Sequence, residues 1–89
     1  MKLPLKTRIL EYAIDLGKDF VVDDVMSALA SEYKGEKIFT RKQVEEYVDS
    51  YLGIGFLKGE STEFDSKGEL VVHCKVTEYG LSRKKYMKH

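Results

Sequence analysis

Apolar residues recur at helical spacing in three stretches of the first half of the chain, and the clearest stretch is residues 40–52, TRKQVEEYVDSYL. Its apolar side chains fall three and four residues apart, so on a helix they would form one stripe that must be buried. These residues are Val44, Tyr47, Val48, Tyr51 and Leu52. Thr40 is a good N-cap, and Gln43 three residues later completes the pattern of a reciprocal cap. The stretch therefore predicts a helix, the third in the chain.

The same spacing predicts two earlier helices. Between Pro4 and Gly17 the apolar residues share one broad arc, and a glycine suits the end of a helix. The arc contains Leu5, Ile9, Leu10, Ala13, Ile14 and Leu16. The next segment, KDFVV, is short and rich in β-branched and aromatic residues, which favours a brief strand. A second helix should then cover about residues 22–33 and end at Gly35.

After residue 52 the spacing changes to alternation. Gly53 and Gly55 are expected to end the third helix, and the turn sequence DSKG at residues 65–68 predicts a two-stranded hairpin. The second strand has one clearly apolar face, because side chains two residues apart point to the same side. This row consists of Leu70, Val72, Cys74 and Val76.

The register of the first strand, FLKGESTEF, has two alternatives. A three-residue loop with Gly68 in the left-handed conformation places Phe64, Thr62 and Phe56 beside the apolar row. A two- or four-residue loop places Leu57 and Glu63 there instead, because a shift of one residue moves every side chain to the other face. The chemistry of the turn favours the three-residue loop.

The C-terminal segment, TEYGLSRKKYMKH, begins with an N-cap residue, Thr77, and is predicted to form a short helix with a basic end. The whole order is therefore helix, short strand, helix, helix, two-stranded hairpin and short helix. This order predicts the α+β class. A chain of 89 residues is long enough for one hydrophobic core, so residues 1–89 should form a single domain.

This order of elements, together with two short sequences, resembles the winged helix-turn-helix superfamily. YLGIGFL at residues 51–57 is similar to the family's leucine, glycine and paired apolar residues where the third helix enters the wing. VTEYGL at residues 76–81 is similar to its threonine, two residues and glycine. The resemblance covers residues 5–86 and implies a winged-helix fold. In small DNA-binding regulators of this superfamily, the third helix enters the major groove and the hairpin wing touches the flanking backbone.

The resemblance thus implies a transcriptional regulator that binds double-stranded DNA sequence-specifically. The positions that match the family's DNA-contacting residues lie at the start of the third helix and at the wing tip. They are Thr40, Arg41, Lys42, Gln43 and Lys67. Arginine and lysine can donate to guanine, and glutamine can pair with adenine. Arg83, Lys84 and Lys85 could add phosphate contacts, although basic residues at the end of a helix need no ligand.

Acidic residues point to an alternative. Glu45, Glu46 and Asp49 follow the basic turn on the same predicted helix, and the wing carries more carboxylates than lysines. Fifteen basic and fifteen acidic residues cancel over the chain, which argues against a general nucleic-acid coat protein. The alternative hypothesis is a winged-helix module with an acidic docking face that binds a basic protein and touches no nucleic acid.

A homodimer is expected, because one domain of this size contacts few base pairs and DNA-binding members gain affinity by two-fold repetition. The terminal segments carry a narrow apolar strip that could form its interface. This strip consists of Leu3, Leu5, Leu81, Tyr86 and Met87.

Catalysis and cofactor binding have little support. His73 and Cys74 are adjacent on a predicted strand and point to opposite faces, so they are poorly placed to act together. Asp23 and Asp24 suit the first turn of a helix better than a pair of catalytic carboxylates. We therefore expect no enzyme activity, metal or cofactor. With a single cysteine and no apolar run of membrane-spanning length, the chain is expected to be cytoplasmic.

Overall fold

Four α-helices and one antiparallel hairpin make up residues 3–86, the part of the chain that the structure, a computed structural model, describes. The elements are α1 (Leu5–Leu16), α2 (Val22–Leu29), α3 (Arg41–Ile54), β1 (Leu57–Phe64), β2 (Leu70–Val76) and α4 (Glu78–Leu81), followed by a 3₁₀ turn at Ser82–Tyr86. The prediction of a mixed α+β fold is confirmed.

The core lies where α1, α2 and α3 meet the base of the hairpin. The apolar arc of α1 is buried as its spacing predicts, apart from Leu16, which is half-buried, and Gly17 ends the helix in the left-handed conformation. The apolar stripe of α3 faces the same core, with Val44, Val48 and Tyr51 buried. The Tyr51 hydroxyl donates a 2.6 Å hydrogen bond to the carbonyl of Lys6, which ties α3 to α1.

The second helix is shorter than its sequence predicts. We expected it to extend to about residue 33, but α2 ends at Leu29 and the chain continues as turns to Gly35. Tyr33 is still buried, as expected, and its hydroxyl donates a 2.6 Å hydrogen bond to the carbonyl of Leu3. A turn therefore delivers this side chain to the core where a further turn of helix was predicted.

The start of α3 is capped as predicted, although on one side alone. The Thr40 hydroxyl accepts a 3.1 Å hydrogen bond from the Gln43 N–H. The Gln43 side chain does not return the bond, because the Thr40 N–H donates to the carbonyl of Ile38. At the other end, the expectation that Gly53 breaks the helix was wrong: α3 continues through it, and Gly55 is the left-handed cap.

The hairpin satisfies both alternatives for its register, each in one half. Near the tip the loop has the favoured three-residue form, with Gly68 left-handed and Phe64 opposite Leu70. A β-bulge between Gly59 and Ser61 then shifts the register by one residue. As a result Leu57, with 1% of its surface exposed, occupies the core position that the favoured register assigned to Phe56.

Within residues 3–86, a single residue pairs with β2 on the side away from β1. Phe20 forms an antiparallel bridge with Cys74, with two backbone hydrogen bonds of 2.8 Å each. The segment KDFVV, predicted as a brief strand, thus forms one bridge, at Phe20. Beside it, His73 Nδ1 lies 3.2 Å from an Asp19 carboxylate oxygen and Nε2 lies 3.2 Å from one of Glu63.

Thr77 and Gly80, three residues apart, both have structural roles where the chain leaves the hairpin. The Thr77 hydroxyl accepts a hydrogen bond from the Gly80 N–H and donates one to the carbonyl of Gly55. Gly80 packs so closely on the start of β1 that a Cβ atom there would lie 2.2 Å from the Phe56 carbonyl oxygen. Only a glycine fits at this contact.

Replacement of Gly80 tests this contact. We expect Gly80→Ala to destabilise the fold by on the order of 3 kcal/mol, because the methyl group would overlap backbone that cannot move without displacing β1. Thermal unfolding followed by circular dichroism should show a melting temperature lower by about 10 °C or more.

The matched control is Gly53→Ala. Gly53 lies inside α3, and a Cβ there would meet nothing within 4 Å. Alanine should therefore stabilise the helix by about 0.5–1 kcal/mol, since it restricts the unfolded chain more than glycine does. Equal effects at the two positions would contradict the proposed close contact of Gly80 with Phe56.

The hydrogen bonds of His73 predict a pH dependence. Its pKa is raised above the usual 6.5, first by the hydrogen bond to Glu63 and then by the interaction with Asp19, since only the charged ring can donate to both carboxylates. The stabilisation of the fold by these hydrogen bonds is fully present below pH 6.5 and is lost as the pH rises through the raised pKa. The melting temperature of the chain minus that of His73→Gln should therefore be largest below pH 6.5 and should decrease as the pH rises through the raised pKa. A difference that grows with pH would refute this assignment.

Candidate functional site

The first turn of α3, which the sequence nominates for DNA contact, is largely occupied by contacts within the chain. The Arg41 guanidinium is hydrogen-bonded to the carboxylate of Asp23 on α2, and its Nε lies 3.6 Å from a Glu45 oxygen. The hydrogen bond to Asp23 raises the pKa of Arg41 further, with smaller effects from the charges of Glu45 and Glu69. Arg41 thus stays charged, and carboxylates on two helices neutralise it.

The other residues of this turn are in different situations. Thr40 acts as the helix cap. Gln43 is half-buried, and its side-chain amide lies 3.5 Å from a Glu46 carboxylate oxygen. Lys42 is exposed, and within residues 3–86 it has no ion-pair partner. Lys67 is exposed at the tip of the hairpin, where its N–H donates to the Asp65 side chain.

The basic C-terminal segment lies at the opposite end of α3. The Arg83 guanidinium sits 5.8 Å from the centre of the Phe56 ring, directly after the C-cap of α3, and Lys84 follows it as an exposed residue. A helix of 14 residues is about 20 Å long, so these charges are separated from Arg41 and Lys42 by that length. The side chain of Lys85 lies outside the described residues. The structure therefore does not bring the candidate basic residues together.

A groove of about 170 Å³ opens between the start of α2, the side of α3 and β2. It lies on the face of α3 that turns toward the hairpin. Apolar side chains contributed by all three elements form its floor and walls. They include Val22, Leu52, Leu70, Val72 and Cys74. The apolar surface continues along the hairpin to the pair Phe64 and Leu70, which are 73% and 58% exposed.

Charged side chains line the same groove, with acidic groups in excess. Asp23, Glu45 and Asp49 contribute carboxylates, and Arg41 contributes a single guanidinium. Because Arg41 is engaged by Asp23 and Glu45, its charge is compensated locally. Asp49 has no ion-pair partner among the described residues. The groove therefore combines an apolar floor with an acidic rim.

Cys74 lies at the bottom of the groove, and its environment makes it a poor nucleophile. It is buried, and burial raises the pKa of its thiol, with a further contribution from the charge of Asp49. A raised pKa leaves little thiolate at neutral pH. Cys74 therefore serves as a small apolar side chain of the floor, as its place on the apolar row predicts.

The residues expected at a dimer interface have different fates. The expectation that Leu5 lies at a dimer interface was wrong. Its side chain is 4% exposed and belongs to the core of its own chain, because the first turn of α1 packs inward. Leu3 is half-buried, and Leu81 is exposed, as is Tyr79 two residues before it. Tyr86 lies in the 3₁₀ turn, but its side chain and the whole of Met87 lie outside the described residues.

Within residues 3–86, no group of three or more His, Cys, Asp or Glu side chains could hold a metal ion. The two carboxylates at His73 face different ring nitrogens and so do not converge on one point. None of the helices in the described part of the chain is long and apolar enough to cross a membrane.

The groove itself was not predicted from the sequence. Asp49 was noted as acidic, but Val22 and Leu52 are separated by 30 positions and have no local pattern that joins them. One indication was present in the apolar row of β2. With Phe64 opposite Leu70, this row extends toward the hairpin tip and beyond the reach of the core. An apolar pair so close to a turn is a sign of a surface that contacts something else.

Comparison of the chain with protein-family models, with curated proteins and with solved structures finds no match.

Proposed function

We propose that this chain is a winged-helix domain that works as a protein-interaction module, with the face formed by α3 and the hairpin as its docking surface. The order of elements, the Phe20 bridge and the hairpin after α3 support the winged-helix part of the proposal. The docking part rests on one observation, the acid-rimmed apolar groove on that face.

The charge of this face argues for a basic protein partner. DNA-binding affinity depends on positive charge set against phosphates. Here Arg41 is paired with Asp23 and Glu45, and Asp49 leaves negative charge unpaired along the same side of α3. Lysine or arginine side chains of a partner would find complementary carboxylates there, which favours correct over incorrect partners.

The apolar floor argues for a protein in a different way. Exposed apolar side chains such as Phe64 and Leu70 gain nothing from a phosphate backbone, but they gain from burial against another apolar side chain. The groove is also smaller than the roughly 300–1,000 Å³ of typical small-molecule sites. A partner that inserts a single side chain fits its volume of about 170 Å³.

The second candidate function is sequence-specific binding of double-stranded DNA by a small transcriptional regulator. The observation that favours it is the position of Lys42, which projects from the amide end of α3 without an ion pair among residues 3–86. Lys67 is exposed at the hairpin tip and would touch flanking phosphates in this mode of binding. Docking of DNA by the first turn of α3 alone would keep the carboxylates of Glu45 and Asp49 farthest from the phosphates.

A homodimer remains part of the proposal, with its interface around α4. Ile54, Tyr79 and Leu81 are exposed apolar residues in this region, and the ring of Tyr79 packs on Phe56 with 4.9 Å between ring centres. Such a patch on a small domain suits a two-fold contact.

Two probes distinguish the protein proposal from the DNA proposal. A flexible peptide of lysine, glycine and serine should bind, and the double variant Glu45→Gln with Asp49→Asn should weaken binding by about fivefold or more, because the groove loses two of its three carboxylates. Random-sequence duplex DNA should show no change in anisotropy at protein concentrations up to roughly 100 μM at physiological salt, which is the weak end of the usual range of dissociation constants for non-specific binders. Fluorescence anisotropy measures both.

The control variant carries the same change in charge elsewhere. Glu46→Gln with Glu60→Gln leaves the groove carboxylates intact, and it should keep nearly full affinity for the peptide. Equal losses in both double variants would mean that net charge alone attracts the peptide. Binding to duplex DNA that depends on Lys42 would overturn the protein proposal and support the second candidate.

Light scattering at high micromolar concentration tests the dimer. The full chain, of 10.2 kDa, should give twice its mass, and Leu81→Ser should return it to the monomer because the patch loses its apolar edge. Leu70→Ser is the matched control, since Leu70 is also an exposed leucine, at 58% against 44% for Leu81, but lies in the groove. A monomeric full chain would rule out the dimer, and a loss of mass in Leu70→Ser alone would move the interface to the groove.

A further inference from the structure

We infer that the groove receives its partner as an extended strand, which pairs with the free edge of β2 at Leu70 and Val72. This partner strand places one apolar side chain in the groove and carries Lys or Arg residues on either side of it. This inference rests on the proposed function, and it adds the conformation and sequence class of the partner. It is carried by the hydrogen-bond pattern of β2, by the acidic rim and by the volume of the groove.

The pattern of hydrogen bonds shows which way the backbone of β2 points. In an antiparallel pair, residues that exchange hydrogen bonds with the neighbour alternate with residues whose N–H and C=O point to the other edge. Cys74 bonds to Phe20 on the edge away from β1. Val72 and Leu70 are two and four residues from Cys74, so their backbone groups point to that same edge.

This edge is open beside the groove. Phe20 covers it at Cys74, after which its chain turns into α2. Among residues 3–86, no backbone group outside the β1–β2 ladder bonds to Val72 or Leu70. The groove is lined by both of these residues and by the start of α2. A strand laid here would extend the line of pairing that Phe20 begins.

Addition of a strand is an established mode of peptide recognition. Backbone hydrogen bonds to an open edge supply affinity, and pockets for alternate side chains supply specificity. The inner face of such a strand points toward the helices, as Leu70, Val72 and Cys74 do. One apolar side chain on that face would fill the groove, and its neighbours two positions away would meet the carboxylates of α2 and α3.

The carboxylates specify the flanking residues. Asp23 stands at the start of α2, and Glu45 and Asp49 stand about 6 Å apart along α3, one turn from each other. Arg41 already pairs with Asp23 and Glu45, so one guanidinium is set against three carboxylates, and the remaining negative charge attracts basic side chains on either side of the apolar residue. A second copy that paired groove to groove would place its own carboxylates against these, which disfavours self-association at this site.

The probe is a seven-residue peptide, Thr-Lys-Thr-Leu-Thr-Lys-Thr, with blocked ends and a fluorescent label. In an extended conformation its two lysines and its leucine lie on one face. The chain should bind this peptide more tightly than a lysine, glycine and serine peptide of equal charge and length. Leu70→Ser should weaken binding by about fivefold or more, whereas Ile38→Ser, at an exposed apolar position outside both the groove and the proposed dimer patch, should leave it unchanged.

Methylation of single backbone nitrogens in the peptide tests the strand pairing itself. A methyl group on the leucine nitrogen removes the donor that would face Val72, and affinity should fall by about tenfold. A methyl group on the neighbouring threonine nitrogen, which points away from β2, should cost far less. In the complex, hydrogen exchange of the Val72 amide should slow by about tenfold or more, while the His73 amide, already paired with β1, should change little.

The outcomes separate this inference from the function on which it rests. If both methylated peptides bind equally, or if the Val72 amide stays unprotected, the strand inference is wrong. In that case the proposed protein-docking function is still supported if a flexible lysine-rich peptide binds and its binding depends on Glu45 and Asp49. If neither peptide binds at the groove, both proposals fail.

Discussion

The backbone pairing between Phe20 and Cys74 is the interaction on which the rest of the structure depends. Its two hydrogen bonds join the helical half of the chain to the hairpin across more than fifty residues of sequence. Phe20 is almost completely buried between the two halves and makes an edge contact with the ring of Tyr12. Because the pairing fixes β2 against the start of α2, it also fixes one wall of the groove and the point where the open edge begins.

Local patterns in the sequence predicted the parts of the fold that local forces determine. The stripes of α1 and α3 and the left-handed Gly68 turn depend on residues a few positions apart, and they formed as expected. The bulge after Gly59 could not be predicted in this way. It places Leu57 in the core and leaves the hairpin tip in its own register, which satisfies two contacts that are far apart along the chain.

The same limit applied to the functional residues. The four-residue spacing of Arg41 and Glu45 made their ion pair foreseeable. The partner that matters more, Asp23, is eighteen positions away and meets Arg41 only because the start of α2 lies beside the start of α3. An arginine at the head of an exposed helix suggests a ligand, but its role changes once a carboxylate from another element reaches it. The charge of a face therefore cannot be assigned from the helix alone.

The acidic rim also accounts for how an open strand edge is tolerated in a small domain. Unpaired N–H and C=O groups beside apolar side chains are a template for unwanted pairing, and natural sheets protect such edges with charge, bulges or cover. Here β1 carries a bulge, and Phe20 covers the edge of β2 at Cys74. The carboxylates of Asp23 and Asp49 border the uncovered part of this edge. Like charges repel a second copy of this edge while they attract a basic strand. The carboxylates that disfavour pairing of two copies at this edge are thus the same ones that would select a partner strand.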